Sequence, residues 1–171
     1  MQFKRVLIFL VALVVIVSCS GDAAIKGKQS LSWMHFNEQE KTVLFELMAG
    51  WNGSNNAYNY NGFYDGNVTL KVPAGWLVEV VLTNQDSVPH NIIVTLPFEK
   101  EVIPSSVNLD AAVLERAYTE DVYQGEKDTM KFIATQGHYW FFCGINGHGV
   151  NGMWIKFDVD SEIELPAVII P

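Results

Sequence analysis

Short runs in which apolar and polar residues alternate one by one recur along most of this chain, and few folds accept that pattern. Val68, Leu70 and Val72 alternate with Thr69 and Lys71, bounded by Gly66 and Pro73. Trp76, Val78, Val80 and Leu82 repeat the pattern with Glu79 and Thr83 on the other face. Ile92, Val94 and Leu96 do so again, as do Met130, Phe132 and Ala134, then Met153, Ile155, Phe157 and Val159, and more weakly Val43, Phe45 and Leu47. An extended backbone turns successive side chains to opposite faces, so each run gives a strand one face for a core. Tyr139, Trp140, Phe141 and Phe142, within Gly137 to Cys143, break the alternation as a strand buried on both faces does. Val113, Leu114, Ala117 and Tyr118 fall at helical spacing between Asp110 and Tyr118, with Asn108 as an N-cap. The expectation is an all-β Greek-key sandwich of seven to eight strands with one short helix in a long connection.

The first residues are an address rather than part of that sandwich. Lys4 and Arg5 precede twelve uninterrupted apolar residues, Val6 to Val17, ending in Ile16-Val17-Ser18-Cys19. This run is shorter than the roughly 20 residues of a membrane-spanning helix. Its end resembles a bacterial lipobox, with Cys19 lipidated; a cleaved signal and an uncut anchor from Phe3 to Ser18 are the rival readings. All three place the domain outside the cytoplasm and close to a membrane. The chain divides accordingly into an export segment (1–18), a lipidated cysteine and polar tether (19–30) and one domain (31–171). Without Lys4 and Arg5 the remainder holds 9 basic and 19 acidic residues, a net −10, which disfavours a nucleic-acid partner. The folded domain holds a single cysteine, Cys143, and a free thiol in an oxidising compartment calls for burial or a bound partner.

Cys143-Gly-Ile-Asn-Gly-His148-Gly-Val-Asn-Gly-Met153 sets a thiolate, an imidazole and a thioether at five-residue intervals between two strong strand candidates. Gly144, Gly147, Gly149 and Gly152 let the backbone wrap tightly enough to aim all three at one point. Two histidines, one cysteine and a distant methionine make a blue-copper arrangement. His90, at the mouth of a strand and stiffened by Pro89, is the best candidate for the second histidine. His35 and His138 match no ligand position, and Met34, Met48 and Met130 read as packing residues.

Pro-Ala-Gly-Trp (73–76), Thr-Asn (83–84) and Pro-His-Asn (89–91), with Cys143-Gly-Ile, Gly147-His148 and Gly152-Met153-Trp154, resemble the sulfocyanins, membrane-anchored blue copper proteins with a cupredoxin fold. The resemblance covers most of residues 40–171, with little to match over 98–128. The Cys-x4-His-x4-Met spacing is also that of rusticyanin; the Pro-Ala-Gly-Trp and Gly-Met-Trp elements favour sulfocyanin. The resemblance implies His90, Cys143 and His148 as equatorial copper ligands and Met153 as the axial one. It implies a backbone N–H from Asn91 to the ligand sulfur and an electron exit at His148, framed by Ile145 and Val150. It further implies a respiratory chain, with a redox donor and a terminal oxidase as partners. Many sulfocyanins keep a membrane-spanning anchor, whereas here the leader ends at Cys19.

A one-electron carrier follows, not an enzyme: a fourth weak ligand leaves no easy place for substrate. The alternative is copper delivery or storage, but exchangeable paired cysteines or Met/His clusters are missing from the sequence. Zinc would not call for methionine.

Overall fold

The computed structural model describes residues 31–170; the expected export segment (1–18) and the expected tether with Cys19 (19–30) lie outside the described residues. In chain order the strands are β1 (Met34–Asn37), β2 (Thr42–Ala49), β3 (Thr69–Pro73), β4 (Leu77–Asn84), β5 (Ile93–Thr95), β6 (Lys127–Ile133), β7 (Gly137–Phe142), β8 (Trp154–Asp160) and β9 (Ala167–Ile169). They form two sheets, ordered β1-β2-β4-β6 and β5-β7-β8-β3-β9. β2 pairs with β4 and β3 with β8 in parallel; the other pairings are antiparallel. Among the described residues no helix is long and apolar enough to cross a membrane.

Alternation places the core between the sheets. Val43, Phe45 and Leu47 of β2, Val78, Val80 and Leu82 of β4 and Met130 and Phe132 of β6 meet Leu70 and Val72 of β3 and Ile155, Phe157 and Val159 of β8 in one continuous apolar cluster. Phe132, Phe141 and Phe157 meet in its middle, the first edge-on to the other two. β7 is buried on both faces over its last four residues, Tyr139 to Phe142, as their sequence requires. Phe141 enters the main core, while Trp140 and Phe142 turn outward with Trp154 to form a second cluster under Phe98, Ile103 and Val107. Trp140 and Trp154 stack at 3.7 Å between ring centroids, 11° from parallel.

The sandwich and its Greek-key class are as expected, with differences in detail. There are nine strands rather than seven or eight, because β1 and β9 are short edge strands with little buried surface. The helix in the connection from β5 to β6 is reduced to a 3-10 turn, Leu109–Ala111; Asn108 caps it by position but makes no side-chain cap bond. Beyond it, Val113 N–H donates to the Val94 carbonyl and Val94 N–H to the Ala117 carbonyl, at 3.0 and 2.9 Å. The open side of β5 thus takes the backbone groups that a helix would use. Leu96, expected inside, is exposed, since β5 ends at Thr95.

Candidate metal centre

His90 lies between β4 and β5, and its backbone is held from both sides: its N–H donates to the Val122 carbonyl at 3.1 Å and its carbonyl accepts from Val122 N–H at 2.8 Å. Asn84, buried at the end of β4, donates through Nδ2 to the carbonyls of Val88 and Val122, which fixes the turn leading to the histidine. Cys143 follows the last residue of β7. Its N–H donates to the Met153 carbonyl at 3.0 Å, so the loop from 143 to 153 closes on itself just before β8. Inside the loop, Met153 N–H reaches the His148 carbonyl at 3.0 Å.

The four glycines of this loop serve two different needs. Gly147 and Gly152 adopt φ of +85° and +93°, a region that other residues resist. Gly144 and Gly149 lie outside that region but have no room: a Cβ on Gly144 would collide with the Val107 carbonyl, and one on Gly149 with the Phe142 ring.

The result is a cluster of four donor atoms. Nδ1 of His148 is 3.4 Å from Sγ of Cys143 and 3.1 Å from Nδ1 of His90, which is itself 3.1 Å from Sδ of Met153. Cys143, His90 and Met153 are fully buried and His148 is 5% exposed. A metal about 2.0–2.1 Å from nitrogen and about 2.3 Å from sulfur sets tetrahedral donors roughly 3.3–3.6 Å apart. The spacings found are close to that, and thiolate, imidazole and thioether together suit copper. His90, Cys143 and His148 form a candidate copper site. Elsewhere His35 pairs with Glu46 and His138 with Asp158 at the surface, away from this cluster, as the sequence suggests.

Burial sets the electrostatics of the metal-free pocket. It pushes the Cys143 thiol up to about 11, against the opposing pull of the backbone N–H groups of Asn91 and Ile145 and of the Tyr60 phenol. Burial, then the neighbouring His90, pushes His148 down to about 4. Burial lowers His90 too, partly offset by Asp86. Both imidazoles are therefore neutral near pH 7 with lone pairs free for a cation, and the cation displaces the thiol proton on binding.

Three contacts around the cluster are not legible in the sequence. Tyr60, fully buried, donates to the Asn91 carbonyl at 2.5 Å and sits against Cys143. Tyr58 lays its ring 4.8 Å from that of His148. Asp86 meets the far nitrogen of His90. Asn91, for which the sequence suggests only a backbone contact to the sulfur, also works through its side chain: Oδ1 accepts Gly144 N–H and Nδ2 donates to Asp121, each at 2.8 Å.

A two-sheet Greek-key sandwich with two histidines and a cysteine gathered at one end defines a cupredoxin, the class of mononuclear blue copper electron carriers. Solved structures share the fold. A rusticyanin variant with a methionine-to-glutamine substitution superposes with a TM-score of 0.55 at 23% identity, covering 70% of this chain and 78% of its own. Auracyanin B gives 0.51 at 19% identity, covering 72% and 92%. The model of the family described as "Sulfocyanin (SoxE) domain" matches residues 29–170, and the chain belongs to the sulfocyanin family. It is 24% identical over 143 residues to the sulfocyanin of Sulfolobus acidocaldarius, covering 79% of this chain and 72% of that protein.

Proposed function

We propose that this protein is a membrane-attached, extracytoplasmic one-electron carrier that holds one copper ion through His90, Cys143, His148 and Met153 and works in a respiratory chain feeding a terminal oxidase. The observation that carries the ligand set is the convergence of Sγ, Sδ and two Nδ1 atoms within one buried cluster. Copper bound there supplies a one-electron couple between its two common valences.

The chain's own residues do the rest. Cys143, His90 and His148 would hold the ion, with the Met153 thioether as a further donor. Both ligand segments are pinned by backbone hydrogen bonds, so they need not rearrange between valences. The Asn91 and Ile145 N–H groups stabilise negative charge on the Cys143 sulfur. His148, the least buried ligand, is the exit toward a partner, with Ile145 and exposed Val150 framing it. The acidic surface favours a basic partner, with a rate that falls as salt rises. The lipobox-like end of the leader supports attachment through lipidated Cys19.

Copper delivery or storage asks for exposed, exchangeable donors, and this cluster is buried. Colour separates the two. The purified domain with Cu(II) should show an intense visible charge-transfer band that Cys143→Ser abolishes. A colourless protein that yields copper readily to a chelator would instead be a delivery protein. His148→Gly should slow electron exchange until imidazole is added, and unchanged exchange without imidazole would remove the exit from His148.

A further inference from the structure

The two ring nitrogens of His90 face different worlds. Nδ1 belongs to the donor cluster, 3.1 Å from both His148 Nδ1 and Met153 Sδ. Nε2 lies 3.3 Å from Oδ2 of Asp86, four residues earlier. The imidazole is fully buried and the carboxylate only 21% exposed, so this pair is partly shielded from water.

Asp86 is itself held. Its N–H donates to Oδ1 of Asn84 at 2.7 Å, and its Oδ1 accepts Ser87 N–H at 2.6 Å, leaving Oδ2 for the histidine. Gly50, at φ +71°, packs so closely that a Cβ there would press on the Cβ of Asp86. Asn84 is anchored in turn on Val88 and Val122, the latter being the backbone partner of His90. The carboxylate and the imidazole thus hang from one framework.

We propose that Asp86 is the positioning residue of the centre: by accepting the proton of Nε2–H it fixes the tautomer of His90 that leaves Nδ1 bare toward the metal. A neutral imidazole carries one ring proton, and a carboxylate hydrogen-bonded at Nε2 keeps the proton on that nitrogen. The same contact makes the ring a stronger donor and brings a negative charge near the site, which favours Cu(II), the more highly charged valence. The inference deepens the reading of His90 as a ligand and rests on it.

Asp86→Asn, which retains an acceptor oxygen without the charge, and Asp86→Ala, which removes both, test it in the soluble domain. Nitrogen-15 NMR of the metal-free protein reads the His90 tautomer directly. The parent should carry its proton on Nε2, and Asp86→Ala should shift population to Nδ1–H. Copper competition against a chelator should show Cu(II) affinity about 10–100-fold lower in Asp86→Ala, with a smaller change for Cu(I). Each tenfold difference between those losses raises the reduction potential by about 59 mV for a one-electron couple. Asp86→Asn should lie between the parent and Asp86→Ala. Unchanged tautomer and potential in both variants, with only reduced thermal stability, would make Asp86 a turn residue and overturn the proposal. If the parent itself failed to take up copper, the ligand reading would fall, and the metal-free tautomer would still decide the Asp86–His90 contact.

Discussion

Oδ1 of Asn91 accepts the backbone N–H of Gly144 at 2.8 Å, a bond between residues 53 apart in sequence that ties the neighbour of one histidine to the neighbour of the cysteine. With Nδ2 on Asp121 and the carbonyl under Tyr60, this one residue joins three segments around the site. Asn91→Ala leaves the buried Gly144 N–H without its partner, a loss of about 1–3 kcal/mol. Denaturant unfolding should show that loss in both metal-free and copper-loaded protein, and the visible band should shift as the cysteine segment loosens.

Gly149→Ala should be worse tolerated than its single added methyl suggests. The new Cβ meets the Phe142 ring, which is closed in by Phe98, Trp140 and Trp154. Overpacking of this kind costs about 1–3 kcal/mol. A lower thermal midpoint together with weaker copper retention is expected, since the ring and His148 cannot both stay in place.

Trp140→Ala separates stability from the site. Its ring lies in the outer cluster, stacked on Trp154, and is absent from the donor cluster. Truncating a buried tryptophan costs about 3–5 kcal/mol. Unfolding should move to lower denaturant while the visible spectrum of the folded protein stays as it was.

The metal-free protein should lose stability in acid. The folded pKa of His148 lies at about 4, below its ordinary value of 6.5, and His90 is lowered as well. Between those two values the unfolded chain takes up protons that the folded one refuses, so stability present above about 6.5 is lost as pH falls toward 4. Cys143 acts in the opposite sense: its folded value of about 11 exceeds the ordinary 9.0, and its contribution is lost as pH rises through that interval. Denaturant midpoints across pH should trace both limbs. Copper, which occupies the same lone pairs, should move the acid limb to lower pH.

The approach of Cys143, His148 and Met153 is legible in the sequence because three metal-binding side chains share one glycine-rich loop at regular spacing. His90 is legible only as the histidine near a strand mouth. Asp86, Tyr58 and Tyr60 are not: a tyrosine among polar residues and an aspartate in a turn are ordinary, and their parts emerge only when distant segments are brought together. The strands over residues 42–49 and 77–84 show because half their side chains must be dry. β1 and β9, half exposed at the edges, leave a fainter trace. Residues 112–118 mislead because helical spacing and edge pairing can use the same apolar positions; the free side of β5 decides between them.

Among the described residues β3 pairs only with β8 and β9, both more than 80 positions further along the chain. A chain emerging from its N-terminal end therefore presents residues 69–73 long before any hydrogen-bonding neighbour exists for them, while β1, β2, β4 and β6 can already assemble. Since β8 begins at Trp154, directly after Met153, the last sheet to close is the one that carries the final donor. Metal acquisition is then a finishing event, timed by when the far end of the polypeptide arrives.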